Sequence, residues 1–333
     1  MTNQPMAVSS VLAPDYLMSC LGGQYELGLW TQCAYWLRGL NDTYRVQTDK
    51  GSYILRIYRQ EIGKKEAVYE MELLGQLEEL LAGSEASIAR PVRKADGTRY
   101  SVIAAPEGER IAVLFEYVEG VENRLQDEES CYTFGKSAAR LHLAMDQARL
   151  ELPRWELDTE FLVEESLQRV IRHIGEEHPA ETFLREYADA LKEKVASAAA
   201  AGLDWGICHG DMHGNNNAVE ISGRYTHFDF EWSAPGWRAY DLAQVRNRKR
   251  QSAEYKEQLW QALLAGYRSV RSFSEKDEQA VELFVLVRRF WIMSLDVLFV
   301  PTQSGALDYG EDWLNDFLEE FRSAGLVQHA PQT

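Results

Sequence analysis

Polar residues able to hold a metal ion and to steer a hydroxyl group are concentrated in one short part of the chain. The segment His209-Gly210-Asp211-Met212-His213-Gly214-Asn215-Asn216 is followed, one short hairpin later, by His227-Phe228-Asp229-Phe230-Glu231. Hard divalent cations prefer carboxylate and amide oxygens as ligands, and a carboxylate can orient a hydroxyl nucleophile. The pattern therefore favours phosphoryl transfer.

The two segments flank a predicted β-hairpin. Residues 217–221 and 225–230 have the composition of strands, and Ser222-Gly223-Arg224 between them is a typical turn. Because the two strands of a hairpin are adjacent in space, the polar residues before the first strand and after the second are expected to lie close together. The hairpin is thus the element that must position the chemistry.

Phosphoryl transfer needs divalent cations that bridge phosphate oxygens, and it needs a carboxylate near the attacking hydroxyl. Asp211 follows the apolar segment Trp205-Gly206-Ile207-Cys208, and it can orient an acceptor hydroxyl and take its proton. Asn216 can supply a neutral oxygen to Mg²⁺, and Asp229 a charged one. A single loop aspartate is often only a cap. The recurrence of polar positions around one hairpin favours the catalytic interpretation.

The two histidines of the first segment allow a second interpretation. His209 and His213 could bind a metal together with Asp211, as in a hydrolase with an HxDxH cluster. The chain contains only seven histidines, and no further cluster completes such a site. We therefore predict that both histidines brace the loop, and a metal-dependent hydrolase is the alternative from another enzyme class.

The composition narrows the class of protein. A length of 333 residues suggests about two domains, and a content of 45% hydrophobic residues suffices for folded cores. The net charge of −17 disfavours nucleic acid or an anionic membrane as a partner and would attract a cationic substrate. The four cysteines lack the spacing of a metal site or a disulfide framework. Residues 1–10 lack signal-peptide features, and the apolar stretch Leu283 to Val300 is interrupted by charges, which predicts a cytoplasmic protein.

The patterns of strands and helices predict two domains of different class. The strand-like or helical segments of the first third are Tyr44 to Thr48, Ser52 to Arg59, the helix Lys64 to Leu81, Tyr100 to Ala104 and Ile111 to Tyr117. After a predicted linker, Val118-Glu119-Gly120, the pattern is mainly helical, and Ser274 is a predicted N-cap of a long helix. The predicted helices of this part cover residues 127–148, 159–175, 180–201, 240–250, 253–270, 275–300 and 312–324. We therefore predict an α+β fold, with a β-rich domain over residues 1–117 and a larger helical domain over residues 118–333.

These motifs resemble a known superfamily. The loop around Asp211 and the segment around Asp229 are similar to the HGDxHxxN and DFD/DFE motifs of the aminoglycoside phosphotransferase and choline kinase superfamily, whose members are related to protein kinases. Residues 228–243 resemble in particular the branch with type II homoserine kinase and the bacterial stress-response Ser/Thr kinase. The resemblance spans most of the chain. It implies a two-lobed, protein-kinase-like fold with a small β-rich, nucleotide-binding N-terminal lobe and a larger, mainly helical C-terminal lobe that carries the acceptor site.

The resemblance also implies roles for individual positions. The matched positions are Asp211 for the catalytic base, Asn216 and Asp229 for the Mg²⁺ ligands, and Glu116 and Val118 for the linker whose backbone would hydrogen-bond the adenine. Asp241 resembles the buried aspartate of the family's DLA segment, and we interpret it as structural support for the Asp211 loop. ATP or GTP, together with Mg²⁺, are the cofactors implied.

The phosphate-binding part departs from the family pattern. The strand position that usually carries a lysine is here Arg56, whose fork can bond two phosphate oxygens but reaches differently from an ammonium group. Glu70 matches the helix glutamate that would pair with this cation, and Glu72 is its rival. No GxGxxG motif is present, and the resemblance suggests that backbone N–H groups and the side chain of Asn41 or Thr43 cradle the phosphates.

The predicted activity is transfer of a phosphoryl group from nucleotide to a hydroxyl of a small molecule. The negative net charge favours an amine-bearing acceptor, such as homoserine, an amino alcohol or an aminoglycoside. The residues expected along the acceptor site are Glu231 and Trp232, with Glu160, Glu164 and Glu165 as further candidates. A protein serine or threonine is the main alternative acceptor, and a kinase-like binding module without turnover is a third interpretation.

Overall fold

The chain forms two compact units, each assembled from segments that are separate in the sequence. The structure is a computed structural model that describes residues 7–122, 125–246, 252–302 and 305–327. The first unit comprises Met1–Arg124, Ser137–Arg154 and Asn215–Glu231, and the second comprises Leu125–Lys136, Trp155–Gly214 and Trp232–Thr333. Asp211 therefore belongs to the second unit, whereas Asn216 and Asp229 belong to the first. The predicted division into lobes at residue 117 stays a prediction.

Strands dominate the early part of the chain and helices the later part. The strands of the described residues are β1 (Trp30–Arg38), β2 (Asp42–Thr48), β3 (Gly51–Ile57), β4 (Ala86–Ile88), β5 (Ser101–Ala105), β6 (Gly108–Glu116), β7 (Val121–Glu122), β8 (Trp205–Cys208), β9 (Asn217–Val219), β10 (Tyr225–His227) and β11 (Ala234–Trp237). Their α-helices are α1 (Pro14–Leu21), α2 (Lys64–Leu80), α3 (Glu128–Gln147), α4 (Glu165–Ile174), α5 (Glu181–Ala200), α6 (Arg238–Arg246), α7 (Ala253–Arg268), α8 (Glu275–Leu298) and α9 (Glu311–Ser323). The predicted α+β class is confirmed.

An antiparallel sheet of five strands, in the order β1-β2-β3-β6-β5, forms the main part of the first unit. Successive residues of a strand point to opposite faces, so that alternate side chains share one environment. Tyr44, Leu55 and Leu114 lie on the face that forms the hydrophobic core. Thr43 and Arg56 lie opposite each other in the β2–β3 register and belong to the other face. The sheet therefore separates an apolar core from a face that can carry polar function.

A second sheet of the first unit contains the predicted hairpin. Its order is β4-β10-β9-β7, with β10 parallel to β4 and antiparallel to β9. His227 pairs with Asn217, and the N–H of Phe228 donates to the carbonyl oxygen of Asn216 at 3.1 Å. Asn216 and Asp229 therefore lie at the same end of the hairpin, because the register brings the residues that precede β9 next to those that follow β10.

The second unit is mainly helical and contains the antiparallel pair β8–β11. Helix α8 packs against α4, α5 and α6, and its side chains Phe284 and Phe290 are fully buried. Its start is confirmed as predicted, because Ser274 and Asp277 form a reciprocal capping box. A central helix of this kind places its polar side chains among the other helices, where they need partners.

The strand β1 and the helix α1 were not predicted from the sequence. β1 is an edge strand in which most residues after Trp30 are exposed, so it lacks the alternation that marks a half-buried strand. The predicted helix from Thr159 begins instead with a π-helical turn, Glu160–Glu164, before α4. The last four residues of the helix predicted over Tyr240 to Arg250 lie outside the described residues. Among the described helices, none combines the length and apolar character that a membrane span requires.

Candidate active site

The Asp211 loop is fixed through its backbone. It leaves β8 at His209, and the buried carboxylate of Asp241 in α6 accepts hydrogen bonds from the N–H groups of His209 at 2.6 Å and of Gly210 at 2.8 Å. This arrangement agrees with the interpretation of Asp241 as structural support. Gly210 has a φ of 79°, and a Cβ there would lie 2.1 Å from the carbonyl oxygen of Trp232. The loop can therefore adopt this path only with glycine before Asp211.

The carboxylate of Asp211 is held by a cation. The guanidinium of Arg288 in α8 donates to its Oδ1, and Nε2 of His213 lies 3.4 Å from its Oδ2. Burial alone would raise the pKa of Asp211, but Arg288 and then His213 outweigh burial and hold that pKa well below its ordinary value. Asp211 is therefore a carboxylate at neutral pH. A group of such low basicity orients a hydroxyl readily and takes its proton only as that proton becomes acidic during transfer.

Arg288 is a site residue that the sequence reasoning missed. Its guanidinium also donates to the carbonyl oxygen of Gly210 at 3.1 Å and to the Tyr240 hydroxyl at 3.0 Å, and it lies 4.4 Å from the ring centroid of Trp291. The signal in the sequence is a charge inside an apolar helix, which requires a partner when the helix is central. That partner, Asp211, is 77 residues away along the chain, so helical periodicity does not reveal it.

His209 and His213 contact the loop around Asp211. His209 is fully buried, and its Nδ1 accepts a hydrogen bond from the N–H of Asp211 at 3.3 Å. Within the part of the chain that the structure describes, no group of three or more histidine, cysteine or acidic side chains is arranged to hold a metal ion. The three-ligand site of the hydrolase alternative is therefore not assembled among these residues.

A second arginine–aspartate pair lies in the first unit. Nη1 of Arg56 in β3 is 2.9 Å from Oδ1 of Asp229, which follows β10. The guanidinium carbon lies 5.7 Å from the ring centroids of both Tyr58 and Phe115. Burial alone would lower the pKa of Arg56, but Asp229, then Tyr58 and two nearby glutamates, outweigh burial and raise that pKa. Arg56 therefore stays charged, on the same sheet face as Thr43.

Asp229 and Asn216 offer the donor chemistry that Mg²⁺ requires. Asp229 has a φ of 69°, a left-handed conformation that aspartate tolerates better than most residues. Its side chain is 33% exposed, and its Oδ2 accepts no hydrogen bond from the described residues. The carboxylate oxygen of Asp229 and the amide oxygen of Asn216, which lies at the same end of the hairpin, are both of the hard type that Mg²⁺ prefers. The two residues therefore fit the predicted metal.

Glu70 is hydrogen-bonded to a tyrosine, and its predicted pairing with Arg56 stays a prediction. Its buried carboxylate accepts a hydrogen bond from the Tyr58 hydroxyl at 2.9 Å. Burial raises the pKa of Glu70 to about 7, against the opposing effect of Arg56. Glu72, the rival candidate, is only half-buried and accepts from the N–H of Glu151 at 3.4 Å. Of the two glutamates, Glu70 is the one whose charge acts on Arg56.

Asn41 and Glu231 are hydrogen-bonded to each other, and the ligand contacts predicted for both stay predictions. The Asn41 amide donates to Oε2 of Glu231 and accepts from the N–H of Arg59 at 2.9 Å. The guanidinium of Arg59 forms an ion pair with Oε1 of Glu231. All three residues are buried. Their polar atoms stabilise the first unit internally, because a buried carboxylate without a cation would be costly.

Trp232, the second predicted acceptor contact, belongs to an aromatic cluster of the second unit. Its ring centroid lies 5.1 Å from that of Trp291, with an angle of 87° between the planes. Trp155 and Phe161 complete the cluster at 6.3 Å and 6.4 Å from Trp232. Trp232 is 7% exposed. Its ring therefore packs in the interior and leaves little surface for an acceptor.

The further acidic candidates for the acceptor site are mostly paired with cations. Glu164 lies 2.7 Å from the ammonium of Lys192, and Glu165 lies 2.7 Å from the guanidinium of Arg169. Glu160 is exposed. These side chains accordingly provide little net charge for attracting an amine, so that any attraction must come from the overall charge of the protein.

The predicted nucleotide linker follows the end of β6. The N–H of Glu116 donates to the carbonyl oxygen of Arg90 at 2.9 Å, and its carboxylate pairs with the Arg90 guanidinium. Tyr117, between Glu116 and Val118, stacks on Trp36 with the centroids 6.1 Å apart and the planes inclined by 13°. The segment therefore carries a flat aromatic surface. The hydrogen bonds from this linker to adenine stay a prediction.

Comparison with known sequences identifies a family for this chain. The model of the family described as "Phosphotransferase enzyme family" matches residues 37–273. An uncharacterized protein of Deinococcus radiodurans is 37% identical over 304 residues, which cover 87% of this chain and 83% of the relative. A homoserine kinase of Neisseria meningitidis serogroup B is 27% identical over 313 residues, which cover 92% of this chain and 96% of that protein. These matches confirm the predicted resemblance.

Solved structures confirm the predicted fold. An amicoumacin kinase in complex with AMP-PNP, Ca²⁺ and Ami superposes with a TM-score of 0.75 at 20% identity, over 94% of both chains. A microcompartment-associated aminopropanol kinase superposes with a TM-score of 0.71 at 21% identity, over 93% of this chain and 94% of the other. At these identities the likeness concerns the fold, which is the protein-kinase-like one.

Proposed function

Because the chain belongs to the phosphotransferase enzyme family, we propose that it transfers the γ-phosphate of ATP or GTP to a hydroxyl of a small, amine-bearing molecule. The observation that carries this proposal is the ionised carboxylate of Asp211 on a loop that is fixed by Asp241, Arg288 and an obligatory glycine. Phosphoryl transfer depends mainly on positioning and electrostatics, so a fixed carboxylate is the group it requires near the acceptor.

In the proposed reaction, Asp211 accepts a hydrogen bond from the acceptor hydroxyl. The acceptor oxygen forms a bond to the γ-phosphorus while the bond to the bridging oxygen of the nucleoside diphosphate breaks, and the hydroxyl proton passes to the Asp211 carboxylate. The low pKa of Asp211 delays this proton transfer until bond formation has made the hydroxyl acidic. The role of Asp211 is therefore orientation first and proton acceptance second.

The residues that we propose for binding phosphate and metal belong to the first unit. Asn216 and Asp229 would hold Mg²⁺, whose charge neutralises phosphate oxygens when it is bound. Arg56 would then exchange Asp229 for phosphate oxygens, which its fork can bond in pairs. Thr43 lies opposite Arg56 in the sheet and can donate a further hydrogen bond. The nucleobase would hydrogen-bond to the backbone of the linker from Glu116 to Val118, as the family resemblance implies.

The acceptor class is supported by charge and by the relatives. The net charge of −17 favours encounter with a cationic molecule. The relatives with named activities include a homoserine kinase, and the structural neighbours include an aminopropanol kinase. Homoserine and aminopropanol are both alcohols that carry an amine. We infer an amine-bearing alcohol of this kind as the acceptor.

The test is a panel of acceptors with both nucleotides. Homoserine, 3-amino-1-propanol, an aminoglycoside and a generic protein substrate would be incubated with Mg²⁺ and ATP or GTP, and phosphorylated products would be identified by mass spectrometry. We expect a phosphorylated small amine from the wild type, formed about a thousandfold more slowly by Asp211→Asn. Phosphorylation of the protein substrate alone would overturn the proposed acceptor class, and transfer at an unchanged rate by Asp211→Asn would overturn the assignment of the base.

A further inference from the structure

We propose that Arg288 is a positioning residue for phosphoryl transfer, which holds one carboxylate oxygen of Asp211 so that the other oxygen receives the acceptor hydroxyl. The inference rests on the proposed function, because it assigns to Arg288 the orientation of the proposed base. Arg288 lies outside the motif around Asp211, in the middle of α8. All the contacts that carry the inference lie within the second unit.

The guanidinium of Arg288 donates hydrogen bonds to two consecutive residues of the loop, Gly210 and Asp211. One terminal nitrogen donates to Oδ1 of Asp211, and the other donates to the carbonyl oxygen of Gly210 at 3.1 Å. The planar fork therefore ties the side chain of Asp211 to the peptide group that precedes it. Rotation of the carboxylate away from this plane would break a charge-assisted hydrogen bond inside a protected environment.

Arg288 is itself immobilised on the helix. Its second donor nitrogen also reaches the hydroxyl of Tyr240, which is fully buried, at 3.0 Å. The guanidinium carbon lies 4.4 Å from the ring centroid of Trp291, one helical turn further along α8. A cation with a stacked ring beneath it and fixed acceptors around it has one preferred orientation. Buried side chains of the core therefore fix Arg288, and Arg288 in turn fixes the orientation of the Asp211 carboxylate.

The charged and titratable groups that face Asp211 come from two helices and from the loop itself. Arg288 approaches from α8, the Tyr240 hydroxyl from α6, and His213 and His209 from the loop. Arg288 is the permanent charge among these groups, because a guanidinium stays protonated in proteins. Loss of Arg288 should therefore affect both the orientation of the carboxylate and the pH at which it is protonated.

The experiment compares Arg288→Gln and Arg288→Lys with Arg289→Gln. Arg289 is the matched control, because it is the neighbouring residue on the same helix and makes its own two-point ion pair with Glu320, at 2.7 Å and 2.8 Å. With an acceptor identified from the panel, we expect Arg288→Gln to lower kcat by about 100-fold, with the KM for nucleotide changed by less than about threefold. Arg288→Lys should recover part of this loss, since it restores the charge but not the fork. Arg289→Gln should retain kcat within about twofold.

Two further readouts separate positioning from mere stability. The acidic limb of the pH profile of kcat should move to higher pH in Arg288→Gln and stay in place in Arg289→Gln. Selective ¹³C labelling of aspartate carboxyl groups gives the same comparison without catalysis, with Asp211 identified by the resonance that Asp211→Asn removes. We expect this resonance to titrate at higher pH in Arg288→Gln than in the wild type.

The outcomes are distinguishable. A folded Arg288→Gln protein with wild-type kcat and an unchanged Asp211 titration would overturn the role of Arg288. A loss of kcat equal to that in Arg289→Gln, with equal loss of melting temperature, would also overturn it, because the effect would then be one of stability. Absence of transfer to every acceptor by the wild type would refute the proposed function instead, and the carboxyl titration would still decide whether Arg288 controls Asp211.

Discussion

The two arginine–aspartate pairs of this protein have the same chemistry and different surroundings. In the second unit, Arg288 grips Asp211 while it also binds a backbone carbonyl and a tyrosine hydroxyl. In the first unit, the hydrogen bond of Arg56 is to Asp229 alone among the described residues. The side chain of Asp211 is 15% exposed, whereas that of Asp229 is 33% exposed. One pair is thus embedded, and the other is accessible.

This difference indicates what each pair is built to do. An ion pair that is braced by further hydrogen bonds retains its geometry during a reaction, which is useful for a group that must orient a hydroxyl. A pair joined by one hydrogen bond, with an available carboxylate oxygen, can be opened by ligands that offer better partners, namely phosphate for the arginine and Mg²⁺ for the aspartate. We therefore expect changes in the embedded pair to affect kcat alone, and changes in the accessible pair to affect both kcat and the affinity for nucleotide.

The largest expected effect separates the two aspartates. Asp211→Asn should lower kcat by about a thousandfold and leave the affinity for Mg²⁺–nucleotide nearly unchanged, because it removes the proposed base and keeps the residues proposed to bind phosphate. Asp229→Asn should weaken that affinity and also lower kcat, because it removes the charge of a proposed metal ligand. Calorimetric titration with nucleotide at fixed Mg²⁺, together with initial rates, measures both quantities. Equal losses of affinity in the two variants would remove the distinction between the pairs.

The second prediction concerns the rigidity of the embedded pair. Gly210→Ala should lower the free energy of unfolding by about 3 kcal/mol, because the residue has a positive φ and its Cβ would meet a backbone oxygen at 2.1 Å. Gly305→Ala is the control in the same unit, since Gly305 has a φ of −78° and open space at its Cβ. Denaturant unfolding of both variants gives the comparison. Equal stability of the two would mean that the loop adapts easily and that the Asp211 pair is not rigidly held.

The third prediction tests whether Glu70, whose charge acts on Arg56 of the accessible pair, retains its proton in the folded protein near neutral pH. The pKa of Glu70 is raised from 4.5 to about 7, so the folded state retains a proton that the unfolded chain releases. The contribution of Glu70 to stability therefore falls as pH rises from 4.5 to about 7, and it stays low above that range. Relative to the wild type, Glu70→Gln should gain on the order of 2 kcal/mol between pH 4 and pH 8.

Chemical unfolding at several pH values measures this difference for Glu70. Glu72→Gln is the control, because Glu72 lies on the same helix, is only half-buried and contacts a backbone N–H instead of Tyr58. A pH-independent difference between wild type and Glu70→Gln would show that Glu70 has the same pKa in the folded protein as in the unfolded chain. In that case the charge around Arg56 would be more negative than the burial of Glu70 implies.

The smallest expected effect is that of the arginine at the phosphate end. Arg56→Lys retains the charge but loses the fork, so we expect kcat/KM for nucleotide to fall by about tenfold. Arg56→Met, which removes the charge, should cost more. Initial rates over a range of nucleotide concentrations give the values. A rate increase in Arg56→Lys would mean that the usual lysine of the family is the better phosphate ligand even in this sheet.

Much of the site could be predicted because its parts are close in the sequence. Asp211, Asn216 and Asp229 lie within nineteen positions around one hairpin, and hairpin pairing depends on local composition and turn residues. Arg56 could be found because the strand alternates and the family pattern marks its position. Asp241 could likewise be identified from its motif, and the structure confirms its support of the loop.

Three site residues have partners that the sequence did not reveal. Asn41, Glu70 and Glu231 are predicted to contact ligands or Arg56 because they lie near the relevant motifs. In the fold their partners are one another, Arg59 and Tyr58, and the ion pair of Glu231 with Arg59 spans 172 residues. A sequence motif marks which residues approach the site, but burial decides which of them must satisfy one another.

The sequence by itself determined the fold class, the hairpin and the order of polar residues around it, since these depend on periodicity, turns and short-range spacing. Only the tertiary structure decided which arginine serves which aspartate. Arg56 lies in an apolar strand and Arg288 is one of two adjacent arginines in an apolar helix, and nothing local shows which aspartate each arginine contacts. Packing buries Arg288 beside Asp211, Gly210 and Tyr240, and it leaves Arg56 with an accessible carboxylate. The number of fixed partners around a charge, which is a property of the packed chain, separates the embedded pair from the accessible one.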